Sequence, residues 1–190
     1  YTIRVVGSKI DLERFYINTD TIATIDELIQ ISEPDLEKNT IFLWPEGIIP
    51  NVNQTDFKEF EFLFNEKFNE NHLLVIGINS YEKSNNRDYF YNTLSIYDHK
   101  LNLITDYKKV KLVPFGEFIP FKTVMQFVYE NWLNIPFNDI SRGPKNQKPL
   151  TIDGNKIAIN ICYEDVFGSE IIKPLPEANI LVNLSNDAWY

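Results

Sequence analysis

Along this chain, apolar positions switch repeatedly between alternation, continuous short runs and a helical period, and each switch marks an element. Thr2-Ile-Arg-Val-Val6 is a β-branched run closed by Gly7-Ser8, which predicts a first strand. From Thr21 to Ser32, Ile22, Ile25, Leu28, Ile29 and Ile31 recur near every third or fourth residue, so a helix is predicted, with Asp20 or Thr21 as N-cap and Pro34 beyond its end. Thr40-Ile-Phe-Leu-Trp44 reads as an apolar strand stopped by Pro45. Gln54 to Asn69 carries Phe57, Phe60, Leu63, Phe64 and Phe68 on one side, which predicts an amphipathic helix whose aromatic stripe belongs to the core.

Leu73 to Ile78 is continuously apolar, as in a strand covered on both faces, and Asn79-Ser80 closes it. A polar loop from Tyr81 to Asp88 and a hairpin of strands Tyr91–Tyr97 and Leu101–Ile104 about Asp98-His-Lys100 follow. Tyr107 to Pro120 holds two prolines and a glycine, so it reads as an ordered loop. A helix is expected from Phe121 to Leu133, irregular chain from Ile135 to Pro149, and strands at Ile157–Ile161 and Asn179–Leu184. Strands alternating with helices and covered on both faces describe an α/β layered domain, read as one domain over residues 1–190. In such domains sites gather beyond the carboxyl ends of strands, where Glu46, Cys162 and Asn183 fall and which the Lys109–Glu117 loop follows.

Charge and composition narrow the class. A formal charge of −9 over 190 residues argues against a nucleic-acid partner bound by a basic surface. No apolar run approaches the roughly 20 residues of a membrane span, and no signal-peptide pattern is present. The chain starts at Tyr1 and stops at Tyr190 just past a strand, which suggests a piece cut at both ends, with the last part of the fold missing and no transferase activity expected of the piece alone.

Cys162 is the only cysteine. A lone thiol is commonly an inert core residue, but one at a strand-to-helix turn followed by Glu164 and Asp165 is also a candidate nucleophile. Such a thiol needs a base and donors for an oxyanion. Glu46, beside Trp44 and Pro45, is a candidate base, and Lys109 with the backbone N–H of Tyr163 could steady the oxyanion. His72 and His99 lie before a strand and at a turn tip, so a Cys/His pair is not expected, and their scatter gives no metal-ligand spacing.

Trp44-Pro-Glu46, Lys109-Val-Lys-Leu-Val-Pro-Phe-Gly-Glu117, Ile161-Cys-Tyr-Glu164 and Asn183-Leu-Ser-Asn-Asp-Ala-Trp189 occur in the order of the motifs of the nitrilase (carbon-nitrogen hydrolase) superfamily. More narrowly, they resemble its apolipoprotein N-acyltransferase branch. The resemblance implies an α-β-β-α sandwich and a Glu-Lys-Cys triad of Glu46, Lys109 and Cys162. It also implies supporting roles for Glu117 and Glu164, and aromatic positions for Trp189 and Tyr190 near an acyl entrance. Lys109 matches by its place eight residues before Glu117, while Lys111 stands where the family often has histidine. The implied reaction passes an acyl chain from a phospholipid through a cysteine thioester to the α-amino group of a diacylglyceryl-cysteine apolipoprotein. No cofactor is implied. The implied setting is a bacterial inner membrane, reached through segments outside this chain, with the domain facing the periplasm. The alternatives are a soluble amidase with the same triad and an inactive relic.

Overall fold

The computed structural model describes residues 1–7, 20–121, 140–152 and 154–186. Five strands form one sheet in the order β1 (Thr2–Val5), β2 (Thr40–Trp44), β3 (His72–Ser84), β4 (Arg87–Asp98) and β5 (Leu103–Lys108). β1, β2 and β3 run parallel, while β3, β4 and β5 are antiparallel neighbours. A second sheet holds β6 (Leu150–Ile152), β7 (Asn155–Ile161) and β8 (Ile180–Leu184), with β7 and β8 parallel.

Alternation along the strands sorts side chains between two cores. Ile41, Leu43, Val75, Leu94 and Ile96 face Leu150, Ile152, Ile157, Ile159, Ile161 and Leu184, so the sheets stack face to face. On the opposite face of the larger sheet, Phe42, Trp44, Leu74 and Ile76 pack against Ile25, Leu28 and Ile29 of helix α1 (Thr21–Ser32) and against Phe57, Phe64 and Phe68. All five residues of β2 are buried, which explains its unbroken apolar run between two parallel neighbours. Asp20 is the N-cap, accepting from the N–H groups of Ile22 and Ala23. Trp44 Nε1 donates to Ser32 Oγ at 3.0 Å, tying the helix end to β2.

These layers are the α-β-β part of the expected sandwich. After β7 the described chain continues through the 3-10 turn Cys162–Val166, the short helix Gly168–Ile171 and the segment to Glu177. An open cavity of about 440 Å³ is lined by that segment together with Ala158 and Asn160 of β7.

Several sequence expectations need correction. Gln54–Asn69 is not an α-helix: only Phe57–Leu63 is helical, and it is 3-10. Phe57, Phe60 and Leu63 fall three apart, the 3-10 period, and Asp56 supplies no side-chain cap. The aromatic stripe is nonetheless core, with Phe57 and Phe64 fully buried. Tyr81–Asp88 is not a loop, because the β3–β4 ladder continues to Ser84 paired with Arg87. Asn85 and Asn86, at φ 50° and 60°, make the two-residue turn. The second hairpin strand is Leu103–Lys108 rather than Leu101–Ile104, because Leu101 takes a positive φ in the turn that Asp98 ties together. The short strand β6 had no expectation. The helix expected from Phe121 to Leu133 lies, beyond its first residue, outside the described residues, as do Trp189 and Tyr190.

Gly77 fixes how closely β2 and β3 deliver Glu46. A Cβ at Gly77 would stand 2.4 Å from Glu46 Cα and 2.8 Å from Pro45 O, while Gly77 O accepts from Gly47 N at 3.1 Å. Gly77→Ala is therefore expected to destabilise the fold by about 1–3 kcal/mol through overpacking against backbone. Gly7→Ala, which meets nothing within 4 Å, should stay within about 0.5 kcal/mol. Urea denaturation of both variants checks this.

Candidate active site

Glu46 lies just past β2, Lys109 directly after β5 and Cys162 directly after β7, so three strand ends bring them to one edge. Lys109 is 1 % exposed. Its Nζ donates to Glu46 Oε1 at 3.2 Å and to Glu117 Oε1 at 2.9 Å. Burial alone would pull the ammonium's pKa down, but the charges of Glu46 and Glu117, the Glu117 hydrogen bond and a thiolate at Cys162 outweigh it and hold it above the ordinary lysine value. Lys109 is therefore an ammonium at neutral pH, with its charge directed at the sheet edge where Cys162 stands.

Cys162 is half-buried and has φ 49°, a left-handed conformation that few side chains adopt without support. That value turns the chain sharply from β7 into the Cys162–Val166 turn. Asn183 of β8 donates its side-chain amide to Cys162 O at 3.2 Å, bracing this bend.

Glu117 belongs to a tight turn. Its N–H donates to Val113 O, and its Oε2 accepts from Val113 N at 2.8 Å, so the Pro/Gly-containing loop folds back on its own carboxylate. Glu164 works differently. Its Oε1 accepts from the N–H groups of Val110 and Lys111 at 2.7 and 2.9 Å, and its Oε2 accepts from Ile161 N at 2.9 Å. Tyr107 donates its hydroxyl to both oxygens at 3.2 and 3.1 Å. Burial and then the Glu164 charge push the Tyr107 phenol far up, so it stays a donor. Glu164 thus joins the residues just after Lys109 to the residue just before Cys162, bracing one segment against the other.

A second brace was not foreseen in the sequence. Gln147 caps Lys108 at both backbone groups, with Lys108 N donating to Oε1 at 2.8 Å and Nε2 donating to Lys108 O at 2.6 Å. Gly143 N donates to Lys109 O at 2.8 Å, and a Cβ at Gly143 would stand 2.2 Å from Lys108 O. The segment holding Gly143 and Gln147 lay in the stretch read as irregular, where only the glycine signalled a close approach.

The remaining candidates are placed as follows. Lys111 extends over the Phe167 ring at 5.1 Å and does not join Glu46. His72 is buried against Phe42 and Phe68, accepts from Asn69 N and bonds Asp35 O, so its ring is part of the core. His99 sits in the Asp98–Leu101 turn. Among the described residues, no group of three or more His, Cys, Asp or Glu is arranged to hold a metal.

Glu164→Gln would turn an acceptor into an amide whose NH₂ must face N–H groups. We expect a loss of about 1.5–3 kcal/mol in thermal or urea unfolding. Tyr107→Phe, which removes one donor and leaves three, should cost less than Glu164→Gln in the same measurement.

Comparison with known proteins supplies the family. The Carbon-nitrogen hydrolase family model matches residues 19–190. An apolipoprotein N-acyltransferase of Nitrosomonas europaea is 47% identical over 117 residues, which are 62% of this chain and 22% of that protein. One of Neisseria meningitidis serogroup A is 31% identical over 194 residues, covering 100% of this chain and 37% of that protein. The chain thus spans well under half the length of these relatives. Among solved structures, a carbon-nitrogen hydrolase of Helicobacter pylori aligns at TM-score 0.57 and 14% identity, over 96% of this chain and 58% of that one. A nitrilase-superfamily amidase of Nesterenkonia aligns at 0.58 and 13%, over 96% and 64%. The structural likenesses establish a shared nitrilase fold, and the family match over nearly the whole sequence places this chain in the carbon-nitrogen hydrolase family.

Proposed function

We propose that this chain is the acyl-transferring domain of an apolipoprotein N-acyltransferase, with Glu46, Lys109 and Cys162 as its catalytic residues. The observation that carries the reading is the buried Lys109 ammonium between Glu46 and Glu117, close enough to Cys162 for a thiolate there to act on it. The relatives' name, apolipoprotein N-acyltransferase, supports an apolipoprotein as acceptor and an N-acyl bond as product, and the phospholipid donor is part of this proposal.

In this scheme Glu46 takes the Cys162 Sγ proton, and the thiolate attacks the ester carbonyl of a phospholipid. The carbonyl electron pair moves onto oxygen, where Lys109 Nζ and the Tyr163 N–H stabilise it. Collapse of this intermediate breaks the ester C–O bond, and the leaving lysophospholipid oxygen takes the proton from Glu46. The α-amino group of a diacylglyceryl-cysteine apolipoprotein then attacks the thioester and gives up a proton to Glu46. Collapse forms the amide, and the Cys162 thiolate leaves and is reprotonated. Each half-reaction thus returns the base to its starting state, and the kinetics are ping-pong. The scheme calls on no cofactor. Trp189 and Tyr190 are the aromatic side chains proposed at the acyl entrance.

No helix among the described residues is long and apolar enough to cross a membrane. Placement at a bacterial inner membrane, with this domain facing the periplasm and carried by further segments, is part of the proposal, and the lipid nature of both proposed substrates supports its membrane setting.

The test uses protein expressed from the complete reading frame, incubated with phospholipid and analysed by intact mass. Wild type should gain one acyl group on Cys162, and Cys162→Ala should gain none. Glu46→Gln should acylate about 10²–10⁴-fold more slowly. An adduct on Ser185, or one persisting in Cys162→Ala, would remove the cysteine from the mechanism. Adding a lipopeptide with a free diacylglyceryl-cysteine amine should discharge the thioester into an amide. Discharge into water alone would favour an amidase.

A further inference from the structure

Asn92 touches each of the three charged residues that meet at the sheet edge. It lies in β4, is buried, and was not singled out in the sequence. Its side-chain Nδ2 donates to Glu46 Oε1 in a short hydrogen bond and to Glu117 Oε1 at 3.0 Å. Its backbone O accepts from Lys109 N at 2.9 Å. The two carboxylates therefore share two donors, the Lys109 ammonium and the Asn92 amide.

The charges explain why an amide stands there. Two carboxylates facing one ammonium leave a net charge of −1 in a buried space, and a third anion would add repulsion with little solvent to screen it. An amide nitrogen offers two N–H groups in fixed directions and no charge, so one atom can bridge both carboxylates. A serine hydroxyl has one hydrogen, and an aspartate has none when ionised. Glu46 Oε1 is consequently held twice, by Asn92 and by Lys109.

We infer that Asn92 is a positioning residue for the acylation step: by pinning Glu46 through Oε1 and setting its spacing from Glu117, it leaves Oε2 as the oxygen that takes the Cys162 proton. This rests on the reading of Glu46 as the base. Asn92 itself does not meet substrate. Its effect is on the rate of the chemical step and not on phospholipid binding.

The experiment is single-turnover acylation, followed by intact mass, using protein from the complete reading frame and mixed phosphatidylethanolamine–phosphatidylglycerol micelles. Asn92→Ala should lower the saturating rate constant by about 10- to 100-fold, the range for losing a hydrogen bond to a charged group, with half-saturating phospholipid unchanged within about twofold. Asn92→Asp should be slower still, although it is the closer isostere, because it replaces the donor with a charge. Adding Glu117→Gln to Asn92→Asp returns one amide and two carboxylates to the array, and should recover about tenfold over Asn92→Asp alone. Thermal unfolding of each variant reports folding separately.

Variants within twofold of wild type would overturn the inference, as would a double variant no faster than Asn92→Asp, since a purely structural role gives no such recovery. If Cys162→Ala and Glu46→Gln slow acylation while the Asn92 variants do not, this inference alone fails. If Glu46→Gln acylates like wild type, the reading of the base fails instead.

Discussion

A buried lysine ammonium organises this molecule. Taking such a charge out of water costs several kcal/mol, of order the net stability of a small domain, unless opposite charges and donors are already in place around it. Lys109 is 1 % exposed, and its partners come from the end of β2 and from the loop after β5. Neither carboxylate could hold its place unless the strands ended where they do. Pro45 stops β2 one residue before Glu46, and Gly77 lets the Glu46 backbone lie against β3. The architecture of two stacked sheets is thus the means of bringing one cation, two anions and a thiol to one edge.

Holding that arrangement falls to backbone groups more than to side-chain packing. Glu164 gathers three backbone N–H groups from two segments, and Gln147 clamps both backbone groups of Lys108. Such contacts are indifferent to which side chains surround them. The residues just after Lys109 and just before Cys162 are bonded to the same buried carboxylate, so a shift of one segment carries the other with it. For the proposed reaction this means a site assembled before substrate arrives, as electrostatic stabilisation with little reorganisation requires.

The parts of the fold read correctly from sequence were those where one pattern dominated. β2 and the apolar half of β3 are buried on both faces and wrote unbroken apolar runs. Helix α1 combined a helical period with a true cap at Asp20. Phe57–Leu63 misled because three-residue and 3.6-residue spacings coincide over two turns. The β3–β4 ribbon misled because its far end is solvated on both faces and so carries no alternation; the signal there was Asn85-Asn86, two residues tolerant of positive φ. Within the site, Glu46, Lys109 and Cys162 were legible as strand-end residues backed by motifs. Asn92 and Gly143 were not, since a buried asparagine declares itself only through partners 46 and 25 residues away, and a close backbone approach leaves no mark beyond a glycine.

The β3–β4 ribbon also has a practical use. Its tip is exposed, pairs among the described residues only with itself, and reverses through two asparagines. Lengthening such a reversal adds only a slowly growing closure entropy, and neither core cluster of the described residues includes the tip. An epitope or fluorescent reporter spliced between Asn85 and Asn86 would ride on the domain at a point joined to the larger sheet by a continuous ladder, which makes this hairpin a handle for following where the protein resides.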